Sequence, residues 1–135
     1  MDRIDDVHED HFEFEIQTEE ALQDFDSAIQ DETFYWAALE ANPDSDIFEQ
    51  GSIEVSSSLA KTGAFLSDGG MLFADMQDLN GANTATVSYC FGKSGQIKLK
   101  IQEESSSDSE LNHISETVDW FIVNEGVYVM EEWII

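Results

Sequence analysis

The hydrophobic pattern near the start of the chain is typical of a β-strand. Phe12, Phe14 and Ile16 are two residues apart, so they share one face, and Glu13 and Glu15 point the other way. Residues 1–10 contain few apolar side chains, and we expect them to be frayed and mobile. The pattern therefore predicts a first strand with one apolar face and one acidic face.

The following stretch has a helical period. Thr18 is a favourable N-cap, and the spacing predicts a helix that ends near Asp31. The apolar residues within one arc of this helix are Leu22, Phe25 and Ile29. The acidic residues on the opposite side are Glu20, Asp24 and Asp31. This segment is therefore predicted to be an amphipathic helix with a carboxylate face.

Strand patterns dominate the next part of the chain. Residues 33–41 are rich in aromatic and β-branched side chains, which favours a strand, and a second helix is the alternative. Residues 52–60 and Met71–Met76 alternate as strands do, with a Ser-Asp-Gly-Gly turn between them. The positions predicted to face inward on the first of these are Ile53, Val55 and Leu59.

The clearest hairpin lies between residues 87 and 101. Two alternating runs flank residues 92–95, Gly-Lys-Ser-Gly, which are predicted to close the hairpin. The apolar positions of its two arms are Val87, Tyr89 and Phe91, and Ile97, Leu99 and Ile101. Lys98 and Lys100 are predicted on its outer face. With the preceding strands, this hairpin indicates an antiparallel meander.

The C-terminal third is predicted to be a helix followed by a strand. Residues 107–110, Ser-Asp-Ser-Glu, form a capping box, and residues 124–126, Asn-Glu-Gly, would stop the helix. The apolar residues at helical spacing between them are Leu111, Ile114, Val118, Phe121 and Ile122. Residues 127–135 read as a final strand. The prediction for residues 1–135 is one α+β domain: a mostly antiparallel sheet of five to seven strands with two amphipathic helices packed on one face.

Charge separates the ends of the chain from its middle. The net charge is −25, from 30 acidic and 5 basic residues. Residues 1–50 contain seventeen acids and one base, residues 51–100 four of each, and residues 101–135 nine acids and no base. Such a field repels nucleic acid and anionic membranes and attracts basic partners. Direct binding of nucleic acid or of a membrane is therefore not expected.

Little in the sequence indicates catalysis or a cofactor. Cys90 has no histidine near it, and no phosphate loop, dinucleotide fingerprint or nucleophile elbow is present. Residues 42–46 resemble the start of a calcium loop, but the expected glycine and glutamate are both isoleucine. His8 and His11 lack enough companions for a closed metal site. We expect no enzyme activity, no metal and no cofactor.

One cysteine, no apolar run of membrane-spanning length and no secretory signal are typical of a cytoplasmic protein. In composition and size the chain resembles small acidic inhibitors of nucleic-acid-binding proteins. These include immunity proteins against nuclease toxins and phage-encoded nucleic-acid mimics that block restriction or CRISPR complexes. The resemblance extends to no motif, so it assigns no residue.

Carboxylates in rows on a strand and a helix have a spacing similar to that of successive phosphates. We therefore predict a stoichiometric inhibitor that occludes the cleft of a basic nucleic-acid-binding partner. The partner-binding residues predicted are Glu13, Glu15, Glu19, Glu20, Asp24, Asp26, Asp31, Glu32, Glu116 and Asp119. Trp120, rimmed by acids, is weighed as an anchor against simple core packing. The alternatives are an acidic chaperone or adaptor that holds a protein client in apolar grooves, and a salt-adapted domain of unrelated function.

Overall fold

The computed structural model describes residues 2–8, 11–16, 33, 48–78, 80–81, 83–105 and 112–125. Within them the chain forms eight strands and one short 3-10 turn at Lys93–Gly95. The strands are β1 (Asp2–Val7), β2 (Phe12–Ile16), β3 (Phe48–Val55), β4 (Ala60–Phe65), β5 (Met71–Met76), β6 (Ala85–Phe91), β7 (Gln96–Glu103) and β8 (Glu116–Val123). This described part of the chain contains no helix with the length and apolarity needed to span a bilayer.

The strands form a hairpin and two three-stranded sheets, and every pairing is antiparallel. β1 pairs with β2 in the N-terminal hairpin. β8 is the centre of sheet I, between β3 and β5, and β7 is the centre of sheet II, between β4 and β6. Both sheets contribute side chains to one buried cluster, so they pack face to face as in a β-sandwich.

Alternation along the two central strands builds this core. Ile97, Leu99 and Ile101 of β7 face inward and are buried, and the intervening lysines face outward. Val118, Trp120 and Ile122 of β8 do the same from the other sheet. The other buried apolar residues come from the flanking strands: Val55, Ala64, Met76 and Ala85. The period of two thus places the core between β7 and β8.

The hairpin between β6 and β7 needs glycine at one position. Gly95 has a backbone φ of +79°, a conformation that residues with a side chain rarely adopt. A β-carbon there would lie 2.5 Å from the carbonyl oxygen of Leu66. The Leu66 N–H in turn donates to the Gly95 carbonyl at 3.0 Å. The turn therefore packs closely on the chain that follows β4.

Several strand predictions are confirmed. Residues 12–16 and Met71–Met76 are strands, and the turn between β4 and β5 is closed by a 3.1 Å hydrogen bond from the Gly70 N–H to the Ser67 carbonyl. The predicted hairpin is formed by β6 and β7, with Tyr89 opposite Leu99. Tyr89 is nevertheless exposed, because β6 is an edge strand of sheet II.

The predicted architecture of helices packed on a sheet is wrong. The predicted C-terminal helix is replaced from Glu116 onward by β8, which alternates buried and outward residues. The predicted meander is wrong as well, because β5 pairs with β8 and β4 pairs with β7 rather than with chain neighbours. Leu59, predicted inward, is 54% exposed just before β4. Residues 2–7, predicted to be frayed, form β1.

Some predictions lie outside the described residues. They are the helix from Thr18 to Asp31, residues 34–41, the calcium-like segment at 42–46, the capping box at 107–110 and the final strand at 127–135.

Candidate functional site

The face of sheet I that points away from the core has exposed and half-buried side chains along its central strand. Because Val118, Trp120 and Ile122 point into the core, the alternate residues of β8 point outward. The outward residues of β8 are Thr117, Asp119, Phe121 and Val123. Cross-strand pairing with β3 and β5 extends this row of four into a three-stranded surface. It is called the outer face below.

One half of the outer face is acidic. Asp119 lies directly opposite Asp75 on β5 and opposite Ser52 on β3. Opposed residues of an antiparallel pair have β-carbons about 4.5–5.5 Å apart, and like charges at that spacing destabilise the sheet. Both aspartates are exposed. The pair therefore places two carboxylates next to each other on this face.

A threonine joins two further carboxylates at the same end. The Thr117 hydroxyl lies 3.0 Å from Glu54 Oε1 and 2.7 Å from Asp78 Oδ2. The Thr117 N–H donates to Asp78 Oδ1 at 2.9 Å. Glu54 is the cross-strand neighbour of Thr117 on β3. The acidic half thus extends over all three strands and the loop after β5.

The other half of the outer face is aromatic and apolar. The rings of Phe73 and Phe121 are opposite each other and stacked, with centroids 4.6 Å apart and planes 9° apart. One pair further along, Val123 lies between Phe48 and Met71. Phe73 is 44% exposed and Met71 is 56% exposed. Exposed aromatic side chains beside charges are the usual anchors of protein interfaces.

The lysines lie on sheet II. Lys61 of β4 is opposite Lys98 of β7, Lys100 is on the same strand, and Lys93 is in the turn. No basic residue lies on the strands of sheet I. The middle third of the sequence, which is neutral as a whole, is therefore divided by the fold into an acidic sheet and a basic sheet.

The buried carboxylate of Glu116 lies next to the acidic half, on the core side of sheet I. Glu116, at the start of β8, has no exposed surface. It accepts the N–H groups of Asn80 at 2.8 Å and Gly81 at 2.9 Å, and the Nε2 of His113 lies 2.8 Å from its Oε1. Asp78 shares a hydrogen bond with it. Glu116 therefore ties the loop that follows β5 to β8.

This environment separates the pKa values of the two carboxyl groups. Burial by itself would raise the pKa of Glu116, but hydrogen bonds from Asp78, the two backbone N–H groups and His113 outweigh it and lower the pKa to about 2. Burial, followed by the hydrogen bond with Glu116, raises the pKa of Asp78 above 3.8. As the pH falls, Asp78 is therefore protonated before Glu116, and Glu116 stays ionised to lower pH.

His113 continues the buried network into the sandwich. Its Nδ1 lies 3.5 Å from Oε1 of Glu103, and both side chains are almost completely buried. The second oxygen of Glu103 has no hydrogen-bond partner among the described residues. Gly81 packs on the flat ring of His113, and a β-carbon at position 81 would overlap that ring. The cluster is held by packing as well as by charge.

The structure places three of the ten predicted binding residues with their side chains. Glu13 is exposed on β2, and Asp119 is exposed on the outer face. Glu116 is a correction, because a fully buried side chain cannot contact a partner. Glu15 lies on β2. The remaining six lie outside the described residues: Glu19, Glu20, Asp24, Asp26, Asp31 and Glu32.

Sequence reasoning missed the residues that make up most of the outer face: Glu54, Asp75, Phe73 and Phe121. Asp75 and Phe73 alternate along a strand that was predicted correctly, so their shared face could have been found. Their contact with β8 could not have been found, because the sequence predicts a helix for that segment. Trp120, considered as an anchor, is buried in the core against Gly51. Cys90 is exposed on β6, opposite Lys98.

Comparisons with protein-family models, curated proteins and solved structures gave no match for this chain. The function is therefore argued from the chemistry of the outer face, which offers carboxylates for cationic groups and stacked rings for apolar ones.

Proposed function

We propose that this protein is a stoichiometric inhibitor that binds a basic, nucleic-acid-binding partner and occludes its cleft. The observation that carries the proposal is the outer face, where Asp75 and Asp119 oppose each other and Glu54 and Asp78 flank Thr117. Neighbouring carboxylates on a sheet surface are suited to pair with the cationic side chains of a partner.

The mechanism is occlusion by charge and shape. Lys and Arg side chains that normally contact phosphates would pair with the carboxylate rows, and the −25 net charge would speed association by steering. The strands fix the carboxylates before binding, so less conformational entropy is lost in the complex. The stacked pair Phe73 and Phe121 would supply an apolar contact next to the charges.

The carboxylates predicted from the sequence between Glu13 and Glu32 belong to the same proposal as additional contacts. Two biological settings fit: immunity against a nuclease toxin, and a phage protein that blocks the restriction or CRISPR complexes of its host. The protein acts without catalysis and without a cofactor in this proposal. A cytoplasmic location is part of it, because the single cysteine suits a reducing compartment.

The test is affinity capture from the native host at low salt, followed by elution with duplex DNA or RNA. Wild-type protein is expected to retain nucleic-acid-binding proteins that nucleic acid displaces. The double variant Asp75→Asn/Asp119→Asn should bind roughly tenfold more weakly, since each exposed charge pair contributes about 0.5–1 kcal/mol.

The control removes the same amount of charge elsewhere. Asp68→Asn/Glu125→Gln changes two exposed acids that lie outside the strands of the outer face, and its capture should equal that of wild type. Equal losses in both double variants would mean that total charge, not the outer face, drives binding. Retention that nucleic acid cannot displace would contradict the proposal of a nucleic-acid mimic.

The apolar half of the outer face favours one alternative, an adaptor that holds a protein client. Capture would then persist at high salt and would be lost in Phe73→Ser rather than in the aspartate variant. Capture that disappears at high salt favours the inhibitor.

A further inference from the structure

The turn of the N-terminal hairpin gathers three side chains that can bind a metal. The His8 N–H donates to the His11 carbonyl at 2.8 Å, which closes the hairpin between β1 and β2. His8 and His11 therefore lie opposite each other at the end of the two strands. Glu13 is two residues beyond His11, on the same side of β2.

The three side chains converge. The imidazole rings of His8 and His11 are stacked, with centroids 4.3 Å apart and planes 21° apart. His11 Nε2 lies 4.0 Å from Glu13 Oε1. One potential ligand atom from each residue lies within 4.8 Å of the others, and all three residues are exposed.

We propose that His8, His11 and Glu13 bind one divalent transition-metal ion of the zinc class. Two imidazole nitrogens and one carboxylate oxygen are a donor set that zinc accepts, whereas calcium and magnesium prefer oxygen ligands alone. Three protein ligands leave a fourth tetrahedral position for water or for a ligand from another molecule. The site lies on the hairpin and not on the outer face, and it shares only Glu13 with the proposed partner contacts. Metal binding therefore goes beyond the proposed inhibitor function.

The geometry requires only small adjustments. Ligand atoms at about 2.0–2.2 Å from a tetrahedral zinc ion are about 3.4 Å from one another. The atoms of His8, His11 and Glu13, now within 4.8 Å, must approach by about 1.4 Å or less. Exposed side chains make such a movement by rotation about χ angles, with the backbone of the hairpin unchanged.

Two physical arguments favour a cation at His8, His11 and Glu13. The net charge of −25 raises the local concentration of cations around the whole molecule. A two-stranded hairpin is marginally stable by itself, and an ion that joins both sides of its turn would hold the strands together. The sequence alone does not indicate the site, because only the β2 strand places Glu13 beside His8 and His11.

The test is calorimetric titration of the metal-stripped full chain with zinc chloride in moderate salt. One ion per chain is expected, and millimolar magnesium or calcium should not compete. His8→Asn and His11→Asn should each weaken binding by about tenfold or more, and Glu13→Gln should weaken it by a smaller factor. The matched control is Glu49→Gln, an exposed glutamate on β3, which should leave zinc binding unchanged.

Resonances of the imidazole protons locate the ion independently. Zinc should shift the signals of His8 and His11 together and leave those of the buried His113 in place. Tight binding of one ion that survives both histidine substitutions would overturn the proposal, because the ion would then be held by other carboxylates. So would displacement of zinc by magnesium, or a shift confined to His113.

Discussion

Replacement of Glu116 by glutamine tests the buried centre of the structure. The two carboxylate oxygens accept three N–H groups: Asn80 on Oε2, and Gly81 and His113 on Oε1. Glutamine has nearly the same shape but only one acceptor oxygen. In either orientation, the side-chain NH2 of glutamine faces the donor of Asn80 or the donors of Gly81 and His113. At least one of these N–H groups then has no acceptor.

Two estimates of the loss agree. A hydrogen bond to a charged group contributes about 1.5–3 kcal/mol, and an unsatisfied buried donor costs about 1–3 kcal/mol. The same hydrogen bonds lower the pKa of Glu116 from 4.5 to about 2, which corresponds to a stabilisation of about 3 kcal/mol when the group is ionised. We expect Glu116→Gln to lower the free energy of unfolding by about 3 kcal/mol at pH 7.

The loss should depend on pH with a definite sign. Because the pKa of Glu116 is lower in the folded state than its ordinary 4.5, ionised Glu116 stabilises the fold above pH 4.5. That contribution is lost as the pH falls from 4.5 towards 2. Asp78 acts in the opposite sense, since its raised pKa gives a contribution that is present below 3.8 and lost as the pH rises. The difference between wild type and Glu116→Gln therefore contains the Glu116 contribution and the part of the Asp78 contribution that Glu116 causes.

Urea unfolding followed by tryptophan fluorescence measures this difference at pH 7, 5, 4 and 3. The control is Asp119→Asn, the same chemical change on the same strand but exposed, which should alter stability by no more than about 0.5 kcal/mol. A loss below about 1 kcal/mol at pH 7 for Glu116→Gln would refute the reasoning. A loss that is the same at pH 7 and pH 3 would also refute it.

Two other predictions concern packing and charge. Gly81→Ala should destabilise the fold by about 1–3 kcal/mol, because the new methyl group overlaps the His113 ring. Gly92→Ala should be tolerated, since its closest contact is the flexible end of Lys98 at 3.1 Å and its contacts with Gln96, at 3.5 Å, are ordinary. Thermal unfolding distinguishes the two variants, and equal melting temperatures would contradict this account. Moderate salt should raise the melting temperature by roughly 3 °C or more, because it screens repulsion among the carboxylates. A melting temperature that decreases with salt would show that the carboxylates are already paired within the fold.

The strands that the sequence predicts correctly are those with one consistently apolar face. β7 has Ile97, Leu99 and Ile101 inward with lysines between them, so a period of two is unmistakable. Met71–Met76 follows Gly69 and Gly70 and is found at the same residues in the structure. Strand order could not be predicted in the same way, because β5 finds its partner in β8, more than forty residues further along the chain.

β8 was mistaken for a helix because two of its residues conceal the alternation. Glu116 is an acid at an inward position, and Phe121 is an aromatic at an outward one. With those two residues misassigned, Val118 and Ile122 fit a helical spacing as well as they fit a strand. Glu116 faces inward because three N–H groups compensate its burial, and those groups become visible only when the loop after β5 is in place.

The acidic outer face also depends on contacts that sequence order hides. Asp75, Glu54 and Asp119 are separated by at least twenty residues in the chain, and only the pairing of three strands makes them neighbours. The charge of the middle third sums to zero in the sequence, yet the fold sends its lysines to sheet II. The two ends of the chain carry more negative charge. Residues 51–100 have no net charge, yet they contribute carboxylates to an acidic surface.

The buried network around Glu116 is connected to the outer face by hydrogen bonds. Glu116 holds the loop that carries Asp78, and Asp78 holds both the N–H and the hydroxyl of Thr117, which in turn lies 3.0 Å from Glu54. A hydrogen-bonded path thus runs from the core to the acidic half. Carboxylates positioned in this way are ordered before any partner arrives, which reduces the entropy lost on binding. Glu116→Gln should therefore weaken binding at the outer face under conditions where the variant is still folded, although Glu116 touches no partner.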